Sequence, residues 1–370
     1  MESYTKNLTS GLWPEGPDKE QHEAASYPYD KPLLVSAGPG SGKTKVVVER
    51  VKHLITNQGI KPDEILCMTF TKAAQKEMYS RLSKWGKTQK IEIKMDQVRT
   101  FHSLCYEILR VPNTGTFMMK TTNDNDNDEN LSKEGTKWKN EFKKKFDSYK
   151  FKKIKQNPTI FDDLAHAVGA FKREDKDVDD LGKFLDIHES EISGDDYLEK
   201  LEDLTIYFNA YKKFLTGVEQ IDFEDYLQRT HHKPDGPYKQ YCKDHEKIKH
   251  LIIDEFQDNN YLQFEIAKNL APTRNITVVG DINQSIYSFQ GANPEIFNNF
   301  KEWCKEYDGK EAKEIRLKNN YRSTPEIVIA SNILLGKNHN QTKTNNPHGE
   351  KIKILEFCNA EDELKFLKKD

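Results

Sequence analysis

The sequence predicts an α/β fold, in which a parallel sheet flanked by helices is interrupted by an all-α insertion. Three observations predict it. Short apolar runs alternate with amphipathic segments over residues 31–110, which is the pattern of a sheet covered by helices. Apolar runs of the same kind return near residue 250 after a helical stretch. A glycine-rich turn also links the first apolar run to the helix that follows it.

The predicted elements follow from these periodicities. The strands of the first half are 33–36, 65–69 and 98–100, and the helices between them are 44–57, 72–84 and 102–110. Strands return at 250–253, 275–280 and 313–317. A last strand candidate, 351–357, opens a further unit that the chain barely begins.

Residues 111–220 are interpreted as an insertion into the α/β domain. Its polar tract 121–130 predicts a loop, and residues 135–220 predict helices. The block 142–155 mixes lysines with aromatic residues. It fits a nucleic-acid face, where lysines neutralise phosphates and aromatic rings stack on bases. It also fits an amphipathic helix with a solvated lysine face, and this block alone favours that second interpretation.

The glycine-rich turn predicts a phosphate-binding loop. It reads Ala37-Gly38-Pro39-Gly40-Ser41-Gly42-Lys43-Thr44, and the strict pattern has glycine where this chain has Ala37. Backbone N–H groups and the positive end of the following helix point at one spot, which suits a polyphosphate. The three glycines allow backbone conformations that a side chain would block. In this pattern Lys43 bridges the β- and γ-phosphates and the Thr44 hydroxyl holds Mg²⁺.

An acidic pair far along the chain complements this loop. The apolar run 251–253 predicts a buried parallel strand, and Asp254 and Glu255 follow it. Parallel sheets bind their ligands beyond the carboxyl ends of the strands. Asp254 is therefore predicted to hold the Mg²⁺ bound to Thr44, and Glu255 to orient and deprotonate the attacking water. The two segments together predict hydrolysis of a nucleoside triphosphate.

Composition narrows the class of protein. The 370 residues leave room for two or three domains, and a net charge of −3 excludes a basic coat protein, so any nucleic-acid contact uses local patches. No apolar run approaches the ~18–20 residues of a membrane span, and the N-terminus has no signal core, so the expected location is cytoplasmic, or nuclear in a eukaryote. The five cysteines form no C-x-x-C pair, which indicates neither a disulfide framework nor a zinc or iron–sulfur site.

Further motifs occur in one order along the chain. They are Glu20-Gln21, Thr69-Phe70-Thr71-Lys72-Ala73-Ala74, Thr100-Phe101-His102-Ser103, Asp254-Glu255-Phe256-Gln257-Asp258, the segment 280–292 and Asn320-Tyr321-Arg322-Ser323. Their order and wording resemble the UvrD/Rep-type superfamily 1 DNA helicases from about Gln21 to the C-terminus, apart from 111–220. The resemblance implies a RecA-like P-loop NTPase domain that uses ATP and Mg²⁺.

The resemblance assigns roles at the ATP site. Gln21 reads the adenine edge, and Tyr321 stacks on adenine. Gln284 senses the γ-phosphate, and Arg322 contacts the same phosphate as an arginine finger supplied in cis. The expected catalytic residues are Lys43, Glu255, Gln284 and Arg322. The expected cofactor-binding residues are Gln21, Ala37, Gly38, Gly40, Ser41, Gly42, Lys43, Thr44, Tyr321 and Arg322.

The resemblance also assigns contacts with single-stranded DNA. The implied residues are Phe70, Thr71, Lys72, Thr100, His102, Tyr287 and Phe289. Phe289 replaces a tryptophan of many family members and offers less stacking area. Without the resemblance, His102 is better interpreted as a satisfied core or cap residue. With it, a DNA-facing role of the lysine-rich block becomes as good an interpretation as the solvated helix. Gln257 and Asp258 are expected to link the ATP site to the DNA side.

The resemblance further implies a domain organisation. A flexible arm (1–20) precedes the RecA-like ATP-binding domain 1A (21–110 and 221–330), which contains the inserted helical domain 1B (111–220) and is followed by the start of a second RecA-like domain 2A (331–370). Family members carry another γ-phosphate arginine in that second domain, whereas no arginine follows Arg322 here. Translocation needs two lobes that close and open with ATP. The expectation is therefore that this chain is the N-terminal ATP-binding portion.

Three functions stay open at this point. The leading one is an ATP-dependent DNA helicase or translocase, 3′ to 5′ by resemblance, that acts on single-stranded DNA and junctions in repair or replication. The second is that this chain is itself the product, a stand-alone ATP- and DNA-binding module without unwinding activity that works with a partner protein supplying the second lobe. In the leading function a missing C-terminal half would supply that lobe. The third is the motor part of an AddA/RecB-like helicase–nuclease, whose first DNA motif is also similar to residues 69–74. No membrane partner is expected.

Overall fold

The structure is a computed structural model, and it describes most of the predicted α/β domain. The described residues are 18–109, 142, 160–177, 180, 196–217, 223–232, 248–285, 295–307, 309, 311–336 and 342–367.

The described strands form one six-stranded sheet in which every neighbouring pair is parallel. They are β1 Leu33–Ala37, β2 Ile65–Thr69, β3 Val98–Thr100, β4 His250–Ile253, β5 Ile276–Gly280 and β6 Lys313–Leu317. The order across the sheet is β3-β2-β4-β5-β1-β6. The predicted parallel sheet and its six strands are thus confirmed, with bounds that differ by at most one residue.

The described helices precede, connect and follow these strands. They are α1 Lys19–Ser26, α2 Lys43–Thr56, α3 Lys72–Gln89, α4 Phe101–Leu109, α5 Ile160–Arg173, α6 Asp196–Gly217, α7 Phe223–His232, α8 Tyr261–Leu270, α9 Ile296–Lys305, α10 Pro325–Leu335 and α11 Ala360–Leu367. The Thr71 side chain caps α3 by accepting the Ala74 N–H. That helix runs five residues past its predicted end, to a left-handed cap at Lys90.

The sheet has a hydrophobic core on each face. Val35 of β1 packs on one side with the valines of α2, including Val47. Leu34 belongs to the other core, which also contains Phe256 and Phe300. Buried apolar strands of this kind are expected when helices cover both faces of a parallel sheet. The site described below therefore rests on a scaffold that is packed from both sides.

A buried arginine fixes the N-terminal helix to this scaffold. Arg50 of α2 has no exposed surface and donates to Thr277 at 2.6 Å and to the carbonyl oxygens of Ala24 and Tyr27 at 3.1 and 2.8 Å. His250 lies 3.3 Å from the same guanidinium group. Burial lowers the pKa of Arg50 to about 9. The guanidinium therefore joins α1 and the turn after it to α2, β4 and β5.

The described part of the insertion is helical, as predicted. Two ion pairs join α5 to α7, namely Lys172 with Asp225 at 2.8 Å and Arg173 with Glu224 at 2.9 Å. From the lysine-rich block, only Phe142 lies within the described residues. Its ring is buried, with centroids 5.4 Å from Tyr207 and 5.3 Å from Tyr211. At this position the side chain belongs to a core.

Two predictions of local structure were wrong. Residues 18–20, assigned to the flexible arm, form the N-cap and first turn of α1, because the Asp18 side chain accepts the Gln21 N–H. Residues 351–357, predicted as a strand, are irregular. They have no ladder partner among the described residues, and Ile354 is 92% exposed. A single apolar run does not form a strand without a neighbour to pair with.

Candidate nucleotide site and nucleic-acid edge

The predicted functional segments follow the carboxyl ends of the strands. Because the strands are parallel, these ends meet at one edge of the sheet, which is where such folds bind ligands. The glycine-rich loop follows β1, the acidic pair follows β4, and residues 281–285 follow β5, which lies between those two strands. The segments predicted to contact DNA follow β2 and β3, farther along the same edge. The two sets of candidate residues are therefore neighbours.

The glycine-rich loop has the conformation that its glycines permit. Gly40 and Gly42 have φ values of 67° and 85°, in the left-handed region that favours glycine. A Cβ atom on Gly40 would lie 2.7 Å from both Arg322 Cβ and Asn320 Oδ1. The predicted cofactor residue Ala37 is the buried last residue of β1, paired with Leu317, so the loop itself begins at Gly38.

The segment after β6 holds this loop from outside. The Asn320 side-chain amide donates to the Pro39 carbonyl at 2.8 Å, and the Tyr321 N–H donates to the Gly40 carbonyl at 2.8 Å. Asn320 Oδ1 accepts the Arg322 N–H at 2.8 Å, while Arg322 itself is exposed beside the loop. The sequence motifs assign no separate role to Asn320. Its signal was an amide residue directly before the Tyr-Arg pair, where a turn needs side-chain acceptors.

Gln21 supports the loop from the other side. Its Nε2 donates to the Ser41 carbonyl at 2.9 Å, and the residue is 1% exposed. Within the described residues its Oε1 is buried without a hydrogen-bond partner. Ser41 Oγ closes the turn by donating to the Gly38 carbonyl at 2.7 Å. The structure thus places Gln21 against the loop, and its contact with adenine stays a prediction.

Lys43 connects the loop to the acidic strand end. Its Nζ lies 3.0 Å from Glu255 Oε2 and 3.4 Å from Gln284 Oε1. Three of the four predicted catalytic groups therefore meet at one point, and Arg322 is not among them. Glu255 adopts a left-handed backbone conformation with φ 51°, which is uncommon for a residue with a side chain and marks functional sites.

Gln257 connects Glu255 to the loop after β5. Its Nε2 donates to Glu255 Oε2 at 2.8 Å, and its Oε1 accepts the Asp281 N–H at 2.9 Å. The approach requires Gly280, since a Cβ atom there would lie 2.5 Å from Gln257 Oε1. Asp281 in turn accepts the Gln284 side-chain amide at 2.7 Å. The network runs without a break from the predicted base to the predicted γ-phosphate sensor.

Burial gives two carboxyl groups unusual affinity for protons. Burial, and then the neighbouring Glu255 charge, raises the pKa of Asp254 to about 7. The same causes in the same order raise the pKa of Asp258 to about 7. A bound cation or a bound proton stabilises a carboxylate that is buried in this way.

The residues present fit Mg²⁺ when it arrives with a nucleotide. Thr44 and Asp254 offer hard oxygen donors, which Mg²⁺ prefers. The described residues contain no group of three or more His, Cys, Asp or Glu side chains that could hold a metal ion. In sites of this kind Mg²⁺ binds through one or two side chains together with substrate phosphates and water.

The predicted DNA residues fall into three groups. Thr71 caps α3 with its hydroxyl, between the half-buried Phe70 and the exposed Lys72. The Thr100 hydroxyl accepts the Ser103 N–H at 3.2 Å and so caps α4 locally. The remaining predicted residues of this set, Tyr287 and Phe289, lie outside the described residues.

The surroundings of His102 disfavour its protonated form. Burial, and then the positive charge of Arg173, lowers the pKa of His102 to about 3. The ring Nε2 is buried. A contact between His102 and DNA stays a prediction, and the imidazole would make it without a positive charge.

Comparison with known proteins identifies the family. The profile described as UvrD/REP helicase N-terminal domain matches residues 18–305. The chain belongs to the UvrD/REP helicase family. A second profile, UvrD-like helicase C-terminal domain, matches residues 315–370, so the similarity to that domain begins before the predicted boundary at 331. The RecA-like P-loop fold expected from the resemblance is confirmed.

Individual relatives give the same result. The chain is 32% identical over 356 residues to a protein named probable DNA helicase II homolog from Mycoplasma capricolum, covering 92% of this chain and 44% of that one. It is 31% identical over 378 residues to an ATP-dependent DNA helicase PcrA from Staphylococcus epidermidis, covering 100% and 46%. The PcrA of Staphylococcus aureus is 32% identical over 356 residues, covering 94% and 44%. The chain thus spans less than half the length of these relatives.

Proposed function

We propose that this chain is the ATP-binding portion of a DNA helicase or translocase, in which ATP hydrolysis moves single-stranded DNA. The observation that carries the proposal is the meeting of Lys43, Glu255 and Gln284 at the carboxyl edge of the sheet. The named relatives are DNA helicases, which supports the same activity and substrate class. The direction, 3′ to 5′, follows from resemblance alone.

The residues divide the chemistry of hydrolysis between them. Backbone N–H groups of the loop bind the phosphates, and Lys43 leaves its contact with Glu255 to bridge the β- and γ-phosphates. Glu255 is then free to orient the attacking water and take its proton. Arg322, exposed beside Gly40, reaches the γ-phosphate and stabilises the negative charge of the transition state. Thr44 and Asp254 would hold Mg²⁺, which would supply positive charge beside the phosphates.

Gln257 couples this chemistry to DNA. Its side-chain amide contacts Glu255 through Nε2 and Asp281 through Oε1. Its backbone carbonyl accepts the Ser285 hydroxyl at 3.3 Å. Ser285 directly precedes the segment that carries Tyr287 and Phe289, which we propose to stack on bases. Movement of Glu255 on ATP binding therefore changes the position of the DNA-facing segment.

The strand itself passes along the β2–β3 part of the same edge. There Lys72 is exposed at the start of α3, and Phe70 precedes it. Lysine and the N-termini of α3 and α4 attract phosphate, while Phe70 offers a ring to a base.

A protein that acts on DNA works in the compartment that holds DNA, so the location we propose is the cytoplasm, or the nucleus of a eukaryotic cell.

The test is ATP hydrolysis with and without single-stranded DNA. Lys43→Ala and Glu255→Gln are each expected to lower kcat at least about a hundredfold, since they remove the phosphate contact and the base. Lys87→Ala and Glu265→Gln are matched controls away from the site and are expected to keep the wild-type rate. Wild-type hydrolysis that persists in Lys43→Ala would contradict the site assignment.

One observation favours a second function, an ATP- and DNA-binding module completed by a partner. Helix α10 exposes a set of large apolar side chains, Ile327, Ile329, Ile333 and Leu334, the last of them 88% exposed. Apolar surface of this kind marks an interaction site. On this proposal the covering surface is a second RecA-like lobe that belongs to another protein. Robust unwinding of a duplex by the 370-residue chain alone would contradict it.

A further inference from the structure

Asp18 joins the two residues that the family resemblance assigns to the adenine base. Its Oδ1 accepts the Gln21 N–H at 2.7 Å, and its Oδ2 accepts the Tyr321 hydroxyl at 2.6 Å. Tyr321 lies 303 positions from Asp18 in the sequence. One carboxylate therefore connects the helix before β1 with the segment after β6, on opposite sides of the glycine-rich loop.

The bonds to Asp18 complete the fixation of Tyr321. Its backbone N–H already donates to the Gly40 carbonyl at 2.8 Å. The neighbouring Asn319 adds a second bond to Asp18 Oδ2, at 2.9 Å. Burial, and then the bond to Asp18, raises the pKa of Tyr321, so the phenol remains a donor. The ring is held at both ends while 53% of the residue stays exposed, which leaves surface for a ligand.

The same carboxylate fixes Gln21. As the N-cap of α1, Asp18 determines where that helix begins, and Gln21 lies in its first turn. The Gln21 amide then reaches the Ser41 carbonyl at 2.9 Å. Both predicted base contacts are thus set relative to the phosphate loop through Asp18. Hydrogen bonds to an ionised carboxylate are stronger than those between neutral groups.

We propose that Asp18 is a positioning residue for the purine base of the nucleotide, which sets the spacing between Gln21 and Tyr321. This inference rests on the proposed ATP site. A pocket whose walls are fixed before binding loses less free energy in ordering its side chains. Removing Asp18 therefore weakens the binding of the base and leaves the binding of the phosphates intact.

The experiment compares Mg-ATP with Mg-tripolyphosphate, which lacks a base, by isothermal titration of the full chain. Asp18→Ser keeps an N-cap for α1 but is too short for the Tyr321 hydroxyl. Tyr321→Phe removes the same bond from an exposed ring and cannot unfold the chain by loss of a cap. Each variant is expected to weaken ATP binding about tenfold. The double variant is expected to bind ATP no more weakly than Asp18→Ser, and tripolyphosphate affinity is expected to stay within about twofold.

Two further variants separate this inference from the proposed function. Glu23→Gln, on the same helix and paired with Lys313 at 3.6 Å, is expected to leave both affinities unchanged. Lys43→Ala is expected to weaken both ligands, and if it weakens neither, the proposed ATP site is wrong. If Lys43→Ala behaves as expected but Asp18→Ser keeps wild-type ATP affinity, or loses both ligands equally, the inference about Asp18 is overturned.

Discussion

At the scale of single residues, the site combines backbone strain with buried charge. Glu255 has a left-handed backbone, and Asp254 beside it is a carboxyl group buried at the end of β4. Both features cost stability in the free protein, and both suit a site that gains a cation and phosphates. Gly40 serves the loop in another way, since its φ of 67°, which glycine adopts without strain, brings the backbone against Asn320 and Arg322.

Gly40→Ala tests this close approach. We expect it to destabilise the fold by about 1–4 kcal/mol, because it adds both left-handed strain and a Cβ atom without room. Gly59→Ala is the matched control, since Gly59 has the same φ of 67° but no atom within 4 Å of the added Cβ. Denaturant unfolding measures the loss of stability in both variants. The difference between the two losses is the cost of the close contact at Gly40, because the backbone strain is the same in both. Equal losses in both would show that the contact with Asn320 and Arg322 is unimportant.

Asp254→Asn tests the buried charge through pH. The folded pKa of about 7 lies above the ordinary value of 3.8, so between these values the folded state holds a proton that the unfolded state has released. This group therefore lowers the free energy of unfolding as pH rises from about 4 to 7. In Mg²⁺-free buffer at pH 8, the free energy of unfolding of Asp254→Asn is expected to exceed that of the wild type by about 1–4 kcal/mol. Near pH 4 the two free energies are expected to be equal. If the free energy of unfolding depends on pH in the same way in the wild type and in Asp254→Asn, the raised pKa of Asp254 is contradicted. The control is Asp63→Asn at an exposed position, which is expected to keep the pH dependence of the wild type.

At the scale of elements, the strands were predictable from sequence, but strand pairing and the side-chain contacts between distant segments were not. Runs such as 65–69 and 250–253 are apolar because both faces of the sheet are covered. Residues 351–357 have the same apolar character, yet a strand also needs a neighbour, which no local pattern reveals. Asn320 and Asp18 were missed for a related reason. Their importance comes from partners hundreds of positions away, such as Tyr321 for Asp18.

Arg50 is a buried residue that also makes hydrogen bonds to distant segments of the chain. It holds α1, and with it Gln21, through the carbonyl oxygens of Ala24 and Tyr27. Arg50→Lys is expected to destabilise the fold by about 2–4 kcal/mol, because an ammonium group cannot serve these acceptors together and leaves buried polar atoms unpaired. Arg81→Lys, at an exposed pair with Glu77, is expected to change stability by less than about 0.5 kcal/mol. Denaturant unfolding that finds the two variants equally stable would refute this role.

At the scale of the whole molecule, one edge of the sheet carries both predicted activities. Most predicted nucleotide residues follow β1, β4, β5 and β6, and those predicted DNA residues that the structure describes lie at the ends of β2 and β3 or directly after them. The motifs were readable from sequence because each pairs a strand end with a characteristic turn. Their convergence depends on the strand order, which places β4 between β5 and β2. Gln257 is the contact that this order creates, and it connects Glu255 to Asp281.

Nucleotide and single-stranded DNA are expected to bind to coupled sites on this chain. The most direct measurement is fluorescence anisotropy of a labelled oligo-dT titrated with the chain, with and without Mg²⁺ and a non-hydrolysable ATP analogue. The analogue is expected to change the Kd for oligo-dT of the wild type at least about threefold, a coupling of typical size, and that of Lys43→Ala not at all. Added salt is expected to weaken binding in both. A wild-type Kd that is the same with and without saturating analogue would contradict the account.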